Sequence, residues 1–445
     1  MAEYRNSHNP ILPLEHHIPD GEAHVFSDGR LYVYGSYDDL DGAWCSTEYR
    51  VASTADMKTW TVHDVAFRGQ DVPWYFDPAA PKYGGAEFQR HSAFMERRAR
   101  TVPAEDLART PRLADELPCL YAPDCAEKDG RYYLYFCMSD GSEGVAVSDR
   151  PEGPFKDPVQ LPCSGIDPAV FVDRDGQAYY YWGQFEPMGV RLDPGMRSFD
   201  PQNIVFGIAN EEAHFFHEGS SMRRIGDTYY FVFSCMQRGR PTALGYATGK
   251  SPLGPFTYRG IIIDNMGCDP ATWNDHGSIE CVNGQWYLFY HRSSRNTQLN
   301  RRLCVEPITI EADGSIPEVK MTSQGPGAPF SPSEAIMGFQ ACQLTGKAYI
   351  DVDPEYVESL RHIAAGDTAT FRYVQSDAGF TGISLRCRGK GRVRVLLNGV
   401  CAGEAVIDGS GKRYDSPIRA AAGQYELSLA FDEAEALELI SATLR

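Results

Sequence analysis

The sequence predicts an all-β protein, built as a five-bladed β-propeller followed by a β-sandwich. Two observations predict it. A short aromatic pattern occurs five times in the first two thirds of the chain, and a run of short alternating strands follows a segment rich in Gly, Pro and Ser. Outside one insertion, no long helical periodicity interrupts these patterns.

The repeated pattern consists of a turn with Gly or Asp followed by alternating aromatic and aliphatic residues, as in a β-hairpin. With Tyr32, Tyr132, Tyr179, Tyr229 and Trp286 as markers, the copies are 100, 47, 50 and 57 residues apart. Periods near 50 residues in a chain of strands indicate propeller blades. The five copies read SDGRLYVYGSY, KDGRYYLYFCM, RDGQAYYYWGQ, IGDTYYFVFSC and VNGQWYLFYHR.

The long first spacing predicts an insertion at about residues 70–117. This stretch is rich in charge and contains a helix-like run, EFQRHSAFMERRARTV. We expect it to form a loop or lid over one face of the propeller.

The second part of the chain begins at a composition break. We predict the propeller for residues 1–322, a linker for 323–334 and the sandwich for 335–445, because TATFRYVQ, GISLRCRG, GRVRVLLNG, GEAVIDG and YELSLAF alternate like short strands. The phrases RVRVLLNGVCAGEA and AAGQYELSLAF resemble carbohydrate-binding module family 6.

The charge and cysteine content limit the classes of partner and compartment. A formal net charge of -18 argues against nucleic-acid and anionic-membrane partners, which require a basic surface. No apolar run is long enough to span a membrane. The 12 Cys show neither CxxC pairs nor zinc spacing, which favours a cytoplasmic protein, or a secreted one only if a signal peptide has been removed. The sequence leaves the oligomeric state open.

Each aromatic strand is preceded, 8 to 12 residues earlier, by an acidic residue or a His: Asp20, Asp124, Asp167, Glu218 and His276. Fivefold geometry would direct all of them to one end of the propeller axis. Cleavage of a glycosidic bond needs a protonated acid for the leaving oxygen and an ionised carboxylate that activates water or attacks. A single Asp before Gly or Pro is commonly only a turn residue, but five aligned positions favour a glycosidase site.

The motifs NPILPLEHHIPDGEAHVF, YVYGSYD, GIDPAVFVD, HEGSSM and NDHGS occur in the same order as in glycoside hydrolase family 43, which the chain resembles from about Asn9 to Pro317. The resemblance implies a five-bladed propeller and hydrolysis with inversion. It implies that Asp20 is the general base, in Asp-Gly where the family more often has Asp-Pro, and that Glu218 is the general acid. Asp167 would orient the acid and modulate its proton affinity, and His276 would stand beside a calcium ion held through water.

The acid is expected to be partly desolvated and protonated. Phe215, Phe216 and His217 flank Glu218 in the sequence, and Asp167 would add like-charge repulsion. Asp20 is expected to be ionised and near solvent, on the opposite side of the sugar.

Five further residues are predicted to contact the sugar: Trp74, Phe76, Asp124, His217 and Arg301. The alternatives are core packing for the two aromatic residues, a turn for Asp124 and a solvated charge for Arg301. Arg302 and Arg292 are competing choices for the same role. His276 could also be a hydrogen-bonded structural residue without an ion.

These expectations describe an exo-acting, inverting glycoside hydrolase that removes a terminal pentose, most simply α-L-arabinofuranose, from plant-derived oligosaccharides. β-D-xylosidase and galactofuranosidase or galactosidase activities are alternatives within the same family. A retaining glycosidase of a related five-bladed clan and a non-catalytic carbohydrate-binding protein are rivals from outside it. No organic cofactor is expected.

Overall fold

The computed structural model describes residues 2–40, 42–81, 83 and 117–445. In this part of the chain, five small antiparallel sheets are followed by one large sheet, which confirms the predicted all-β architecture. The helix-like run of the predicted insertion lies outside the described residues.

The first three sheets form blades one to three of the propeller. Blade one also contains the N-terminal strand, which pairs with the outer strand of the blade. The strands of blade one are β1 (Ala2–Arg5), β2 (Glu22–Val25), β3 (Leu31–Tyr34), β4 (Glu48–Thr54) and β5 (Thr59–Arg68), followed by the 3₁₀ turns Gly69–Asp71 and Pro73–Tyr75. Blade two contains β6 (Asp124–Lys128), β7 (Arg131–Cys137), β8 (Ser142–Ser148) and β9 (Lys156–Ser164), and blade three contains β10 (Ala169–Val172), β11 (Ala178–Trp182) and β12 (Met188–Arg191).

Blades four and five complete the propeller. A 3₁₀ turn (Pro201–Asn203) and a one-turn α-helix (Glu211–His214) lead into blade four. Blade four contains β13 (Phe216–Ile225), β14 (Thr228–Cys235), β15 (Ala243–Gly249) and β16 (Phe256–Asp264), and blade five contains β17 (Ser278–Val282), β18 (Gln285–Ser294) and β19 (Thr297–Ile308).

The first strands of the five blades line the axis and close the ring. β2, β6, β10, β13 and β17 contact one another in this order, and β17 contacts β2 again. A parallel bridge between Gly21 and Gly277 joins the first blade to the last. The residues that enter these strands therefore meet at one end of the axis.

The predicted hairpins are present in every blade, with each marker aromatic in the strand that follows the axial strand. In blade five the turn residues Asn283 and Gly284 have φ of 52° and 85°. Positive φ at both positions is the geometry of the tight hairpin turns that match strand twist. Tyr32, Tyr132 and Tyr229 are buried in the packing between and within blades.

The large C-terminal sheet folds over one hydrophobic core as a sandwich. Its elements are β20 (Ala335–Met337), the 3₁₀ turn Gly338–Gln340, β21 (Gln343–Thr345), β22 (Tyr349–Val352), β23 (Glu358–Arg361), β24 (Thr368–Ser376), β25 (Phe380–Leu397), β26 (Val400–Ile407), β27 (Arg413–Ala420) and β28 (Gly423–Leu444).

One expectation for this domain was wrong. GISLRCRG and GRVRVLLNG are not two strands but one, β25, which pairs along its length with β28. The register shifts between Arg388 and Lys390, around Gly389, which has φ of 82°. A Cβ at Gly389 would lie 2.1 Å from the carbonyl oxygen of Ala436. Because a bulge bends a strand without ending it, the glycine-rich break in the sequence is not a strand end.

The segment 323–334 packs against both domains. The backbone of Ser323 accepts from Asn9, and that of Gln324 donates to Arg372. Phe330 is buried in the core of the sandwich. The segment thus connects the two domains through a packed interface.

No helix in the described part of the chain is long and apolar enough to cross a membrane. No disulfide joins cysteines in the described residues, and ten of the twelve cysteines, including Cys137 and Cys304, are buried.

Candidate active site

The residues predicted to carry the chemistry lie together at one end of the propeller axis. Asp20, Asp167 and His276 each stand two residues before the first strand of a blade. Glu218 is the third residue of β13. A cavity of about 220 Å³ opens between them. It is lined by Asp20, Trp44, Cys45, Tyr121, Ala122, Ile166, Asp167, Gln184, His217, Glu218, Trp273, Asn274, His276 and Arg301.

Two of these carboxyl groups sit on strained turns. Asp20 and Asp167 have φ of 59° and 54°, in the left-handed region that Asp tolerates better than most residues. Asp20 adopts this conformation with Gly21 as the next residue. The turn therefore directs both carboxyl groups into the cavity.

Asp20 is buried and paired with a cation. Its Oδ1 accepts from Arg301 Nη1 at 2.7 Å, and its Oδ2 accepts from Ser36 Oγ at 2.6 Å. Nδ1 of His291 lies 3.3 Å from Oδ1. Burial alone would raise the pKa of Asp20, but Arg301 and His291 outweigh it and hold the pKa well below its usual range. Asp20 is therefore ionised, as expected, although it is less exposed than expected.

Asp167 has the opposite environment. Burial, and then the negative charges of Glu218 and Asp20, raise its pKa well above the usual range. The backbone N–H of Gly219 donates to the Asp167 carboxyl and fixes its position. Burial and like-charge repulsion therefore favour the protonated form of Asp167.

Amide groups hold the Glu218 carboxyl. Gln184 Nε2 donates to Oε2 at 2.6 Å, and Asn274 Nδ2 donates to Oε1 at 3.3 Å. Its side chain is 13% exposed, in agreement with the expected partial desolvation. The neighbouring Phe215 and Phe216 pack on Tyr258 and Phe231 in blade four. The contacts that position the carboxyl are therefore polar and come from blade three and the loop before β17.

His276 and His217 complete the lining around the acids. Nδ1 of His276 lies 3.8 Å from carboxylate oxygens of Asp20 and Asp167, and burial lowers its pKa, so that the imidazole is neutral. Gly219, with φ of 74°, lies against this ring, and a Cβ there would come within 2.7 Å of His276 Cδ2. Nε2 of His217 lies 3.9 Å from Glu218 Oε2.

Arg301 lies in the cavity wall with its guanidinium already engaged. Besides Asp20, it donates through Nε and Nη2 to the two oxygens of Asp38, each at 2.9 Å, and it lies 5.0 Å from the ring centroid of Trp44. The competing arginines point elsewhere. Arg302 pairs with Glu358 of the sandwich, and Arg292 donates to the backbone of Thr322.

Three residues predicted to contact sugar do not line the cavity. Trp74 is buried, stacks on Phe136 and donates through Nε1 to Ser142, so that it packs in a blade core. Phe76 is 59% exposed and borders Tyr75. Asp124 is buried lower in the axial channel, where it accepts from His24 Nε2 at 2.6 Å. For Trp74, the apolar run VPWYFDP carried no signal that could separate packing from sugar contact.

Several cavity residues were not predicted. Gln184 ends the third hairpin motif, and Trp273 and Asn274 directly precede Asp275 and His276 in WNDHGS. The sequence signal that could have identified these residues is their position next to a predicted catalytic acid or His in the same motif. Trp44 lies in a loop without a repeat, where the sequence gives no comparable signal.

Comparisons with known proteins agree with this geometry. The model for "Glycosyl hydrolases family 43" matches residues 100–316. A xylosidase/arabinosidase of Thermoclostridium stercorarium is 30% identical over 89% of this chain and 86% of its own length. The chain belongs to family 43. A β-xylosidase of Xylanibacter ruminicola is 34% identical over 70% of the chain and 98% of its own length.

Solved structures show the same relationship. A family 43 β-xylosidase/α-arabinofuranosidase from a compost microbial metagenome, in complex with xylotriose and calcium-free, has a TM-score of 0.55 at 29% identity, covering 72% of this chain and 99% of its own. An arabinoxylan arabinofuranohydrolase of Bacillus subtilis, at 22% identity and a TM-score of 0.53, covers 99% of this chain and 97% of its own, so that both domains of the fold match. This family 43 protein is thus a glycoside hydrolase.

Proposed function

We propose that this family 43 enzyme removes one terminal pentose, α-L-arabinofuranose first, from short plant-derived oligosaccharides with inversion of configuration. One observation carries the proposal. Three carboxyl groups from three blades border one cavity, and of these only Asp20 is paired with an arginine in the described residues. This asymmetry suits one carboxylate that activates water and one carboxyl group that donates a proton.

In this mechanism Asp20 takes a proton from the attacking water. Arg301 and Ser36 hold its carboxylate in one orientation and keep it ionised. Glu218 gives its proton to the glycosidic oxygen as the bond breaks. Gln184 and Asn274 hold Glu218 in position through hydrogen bonds. The reaction leaves Glu218 ionised and Asp20 protonated, so a proton must return to Glu218 before the next turnover.

Asp167 acts through Glu218. Burial and the negative charges of Glu218 and Asp20 raise the pKa of Asp167, and Asp167 is proposed to orient the acid and to modulate its proton affinity. We therefore assign Asp167 a positioning and proton-tuning role.

The cavity supports an exo mode. Its volume of about 220 Å³ is below the range of roughly 300–1,000 Å³ typical of sites for drug-sized ligands, and suits one sugar unit. His217 and Arg301 in its wall are proposed to contact sugar hydroxyls.

The names of the relatives include both xylosidase and arabinosidase, and they support a pentose as the released sugar. α-L-Arabinofuranosidase is the first candidate activity, β-D-xylosidase the second, and galactofuranosidase or galactosidase the third. The test is a parallel assay of aryl α-L-arabinofuranoside and aryl β-D-xylopyranoside. A higher kcat/KM for the arabinoside is expected. A clear preference for the xyloside would replace the first choice with the second, and turnover of neither would contradict both.

Calcium beside His276 is a second part of the proposal. His276, Asp20 and Asp167 surround a polar space. In the described residues, these three side chains do not bring three donor atoms within 4.8 Å of one another. An ion there would therefore be held mainly through water. When bound, the ion would stabilise the cavity floor electrostatically. Partial loss of activity with chelator and recovery with calcium are expected, whereas indifference to chelator in metal-free protein would contradict it.

We also propose a cytoplasmic location, supported by the lack of disulfides among the cysteines of the described residues. Fractionation of the source cells with an antibody against the enzyme tests it. Recovery of the enzyme from the medium would contradict it.

A further inference from the structure

A second polar cluster lies inside the propeller, away from the catalytic cavity. Glu22 and His24 lie in β2, and because side chains alternate in a strand, both face the same side of it. At about 3.3 Å per residue, His24 lies about 7 Å further along the strand than Glu22, on the side away from Asp20. Beside it opens a second cavity, of about 270 Å³, whose lining shares no residue with that of the first.

The cluster brings together three groups that bind metals. Glu22, His24 and Asp124 each offer one donor atom, and these atoms lie within 4.8 Å of one another. His24 Nε2 lies 2.6 Å from Asp124 Oδ1 and 3.7 Å from Glu22 Oε1. Two strands of different blades supply them, so that the arrangement depends on the closed ring.

The surroundings fix two of these groups in place. The backbone N–H groups of Cys125 and Val170 donate to the two oxygens of Asp124, each at 2.6 Å. The ring of His24 stacks on Phe26. Ligands oriented by such outer contacts are typical of metal sites.

The charges in this region do not balance. Glu22, Asp124 and Glu280 face the single guanidinium of Arg223, which lies 2.8 Å from Glu22 and 3.3 Å from Glu280. Glu22 is 2% exposed, and its Oε2 has no hydrogen-bond partner in the described residues. Buried carboxylates without counter-charge are unfavourable unless they bind a proton or a cation.

We propose that Glu22, His24 and Asp124 form a binding site for one divalent cation of the Mn²⁺/Zn²⁺ class. Two carboxylates and one imidazole suit these ions, whereas Ca²⁺ prefers six to eight oxygen ligands. The second cavity reaches His24 and supplies the entry path. Binding ties blade one to blade two at the axis, and thereby stabilises the ring.

The experiment uses the full chain, stripped of metal with chelator and dialysed against MnCl₂, ZnCl₂ or CaCl₂. Elemental analysis and calorimetric titration measure the ion retained, and a thermal melt measures its effect. About one Mn²⁺ or Zn²⁺ per chain and a raised Tm are expected, because a ligand that binds only the folded state stabilises it. A wild-type chain that retains neither ion overturns the proposal.

Variants locate the ion. His24→Gln alters the most accessible ligand and Glu22→Gln a buried one, and each is expected to weaken binding at least about tenfold. Glu127→Gln, at the rim of the same cavity, and His276→Gln, in the catalytic cavity, are the matched controls and should bind as wild type. Unchanged affinity in folded His24→Gln protein, or loss of binding in His276→Gln, overturns the assignment.

Discussion

The guanidinium of Arg301 holds Asp20 in one place: Nη1 donates to Asp20 Oδ1 at 2.7 Å while Nε and Nη2 bind Asp38. Both side chains are nearly completely buried. Because Asp38 holds the guanidinium in position, Arg301 keeps Asp20 ionised and in one orientation. The proposed general base is thus prepared before substrate arrives.

Replacement of Asp20 with Asn removes the proton acceptor while preserving shape. A loss of about 10²–10⁴-fold in kcat is expected, from the usual contribution of general base catalysis. The loss should be similar for aryl glycosides with good and poor leaving groups, because water activation is needed for both. Wild-type turnover in a folded Asp20→Asn enzyme would remove Asp20 from the mechanism.

Replacement of Glu218 with Gln removes the proton donor while preserving shape, and the one oxygen of the new amide can accept from either Gln184 or Asn274. The loss is expected to reach about 10²–10⁴-fold for poor leaving groups and to be much smaller for good ones, which need less protonation. Steady-state kinetics on a series of aryl glycosides measures this. An equal loss across the series would show that Glu218 is not the acid.

Arg301→Lys tests the electrostatic role of the guanidinium. The pKa of Asp20 is depressed by Arg301, so weakening the pair raises that pKa, and the acid limb of the kcat/KM profile should move to higher pH. An Arg beside an Asp typically lowers its pKa by about 1–3 units, and Lys retains the charge, so a shift of about one unit is expected. Arg302→Lys, on the same strand but paired with Glu358, is the control and should leave the limb in place. An unmoved limb in Arg301→Lys would contradict the pairing.

Glu143 predicts a pH dependence of stability. Burial raises the pKa of Glu143 to about 8, despite hydrogen bonds from Tyr180 and Cys163. A raised folded-state pKa means that the stabilising contribution is complete below the unfolded value near 4.5 and is lost as pH rises through 8. Tm should therefore fall between pH 5.5 and pH 8.5 in the wild type, and it should fall less in Glu143→Gln. The decrease in Tm over this range should be larger in the wild type by at least about 2 °C. Parallel slopes in the two melting series would show that Glu143 is not the titrating group.

Removal of the sandwich should cost stability before it costs chemistry. A chain ending near Ser323 loses Glu358, so that the buried guanidinium of Arg302 has no carboxylate partner. Leaving one member of a buried pair alone is destabilising by about 3–5 kcal/mol. We expect a markedly lower Tm but turnover of small aryl substrates by the folded fraction. A folded truncation without turnover would show that the sandwich shapes the cavity.

Sequence patterns predicted the parts of the fold that repeat. In the aromatic hairpins around Tyr132 and Tyr229, local sequence alone predicts the turn and both strands. Because the spacing between blades is regular, it also predicts that an acidic residue or a His precedes each hairpin. The bend of β25 at Gly389 could not be predicted, because a bulge and a turn share the same local glycine signal.

The site was predictable where motifs carried it. Asp20, Asp167 and Glu218 meet in one cavity because each lies at or near the start of the axial strand of its blade. Trp44 and Asp38 lie between repeats, and their roles depend on contacts with the distant Arg301. Trp74 was placed wrongly because an aromatic residue in a loop has the same sequence pattern whether it packs in a core or faces a ligand.

The central claim is that Asp20 activates water for a single displacement while Glu218 donates the proton. Proton NMR of the first sugar released, recorded before mutarotation, tests it most directly. The account predicts the anomer opposite to that of the substrate: from an α-L-arabinofuranoside, β-L-arabinofuranose appears first. Initial release of the α anomer would mean two displacements through a covalent intermediate, and would contradict the account.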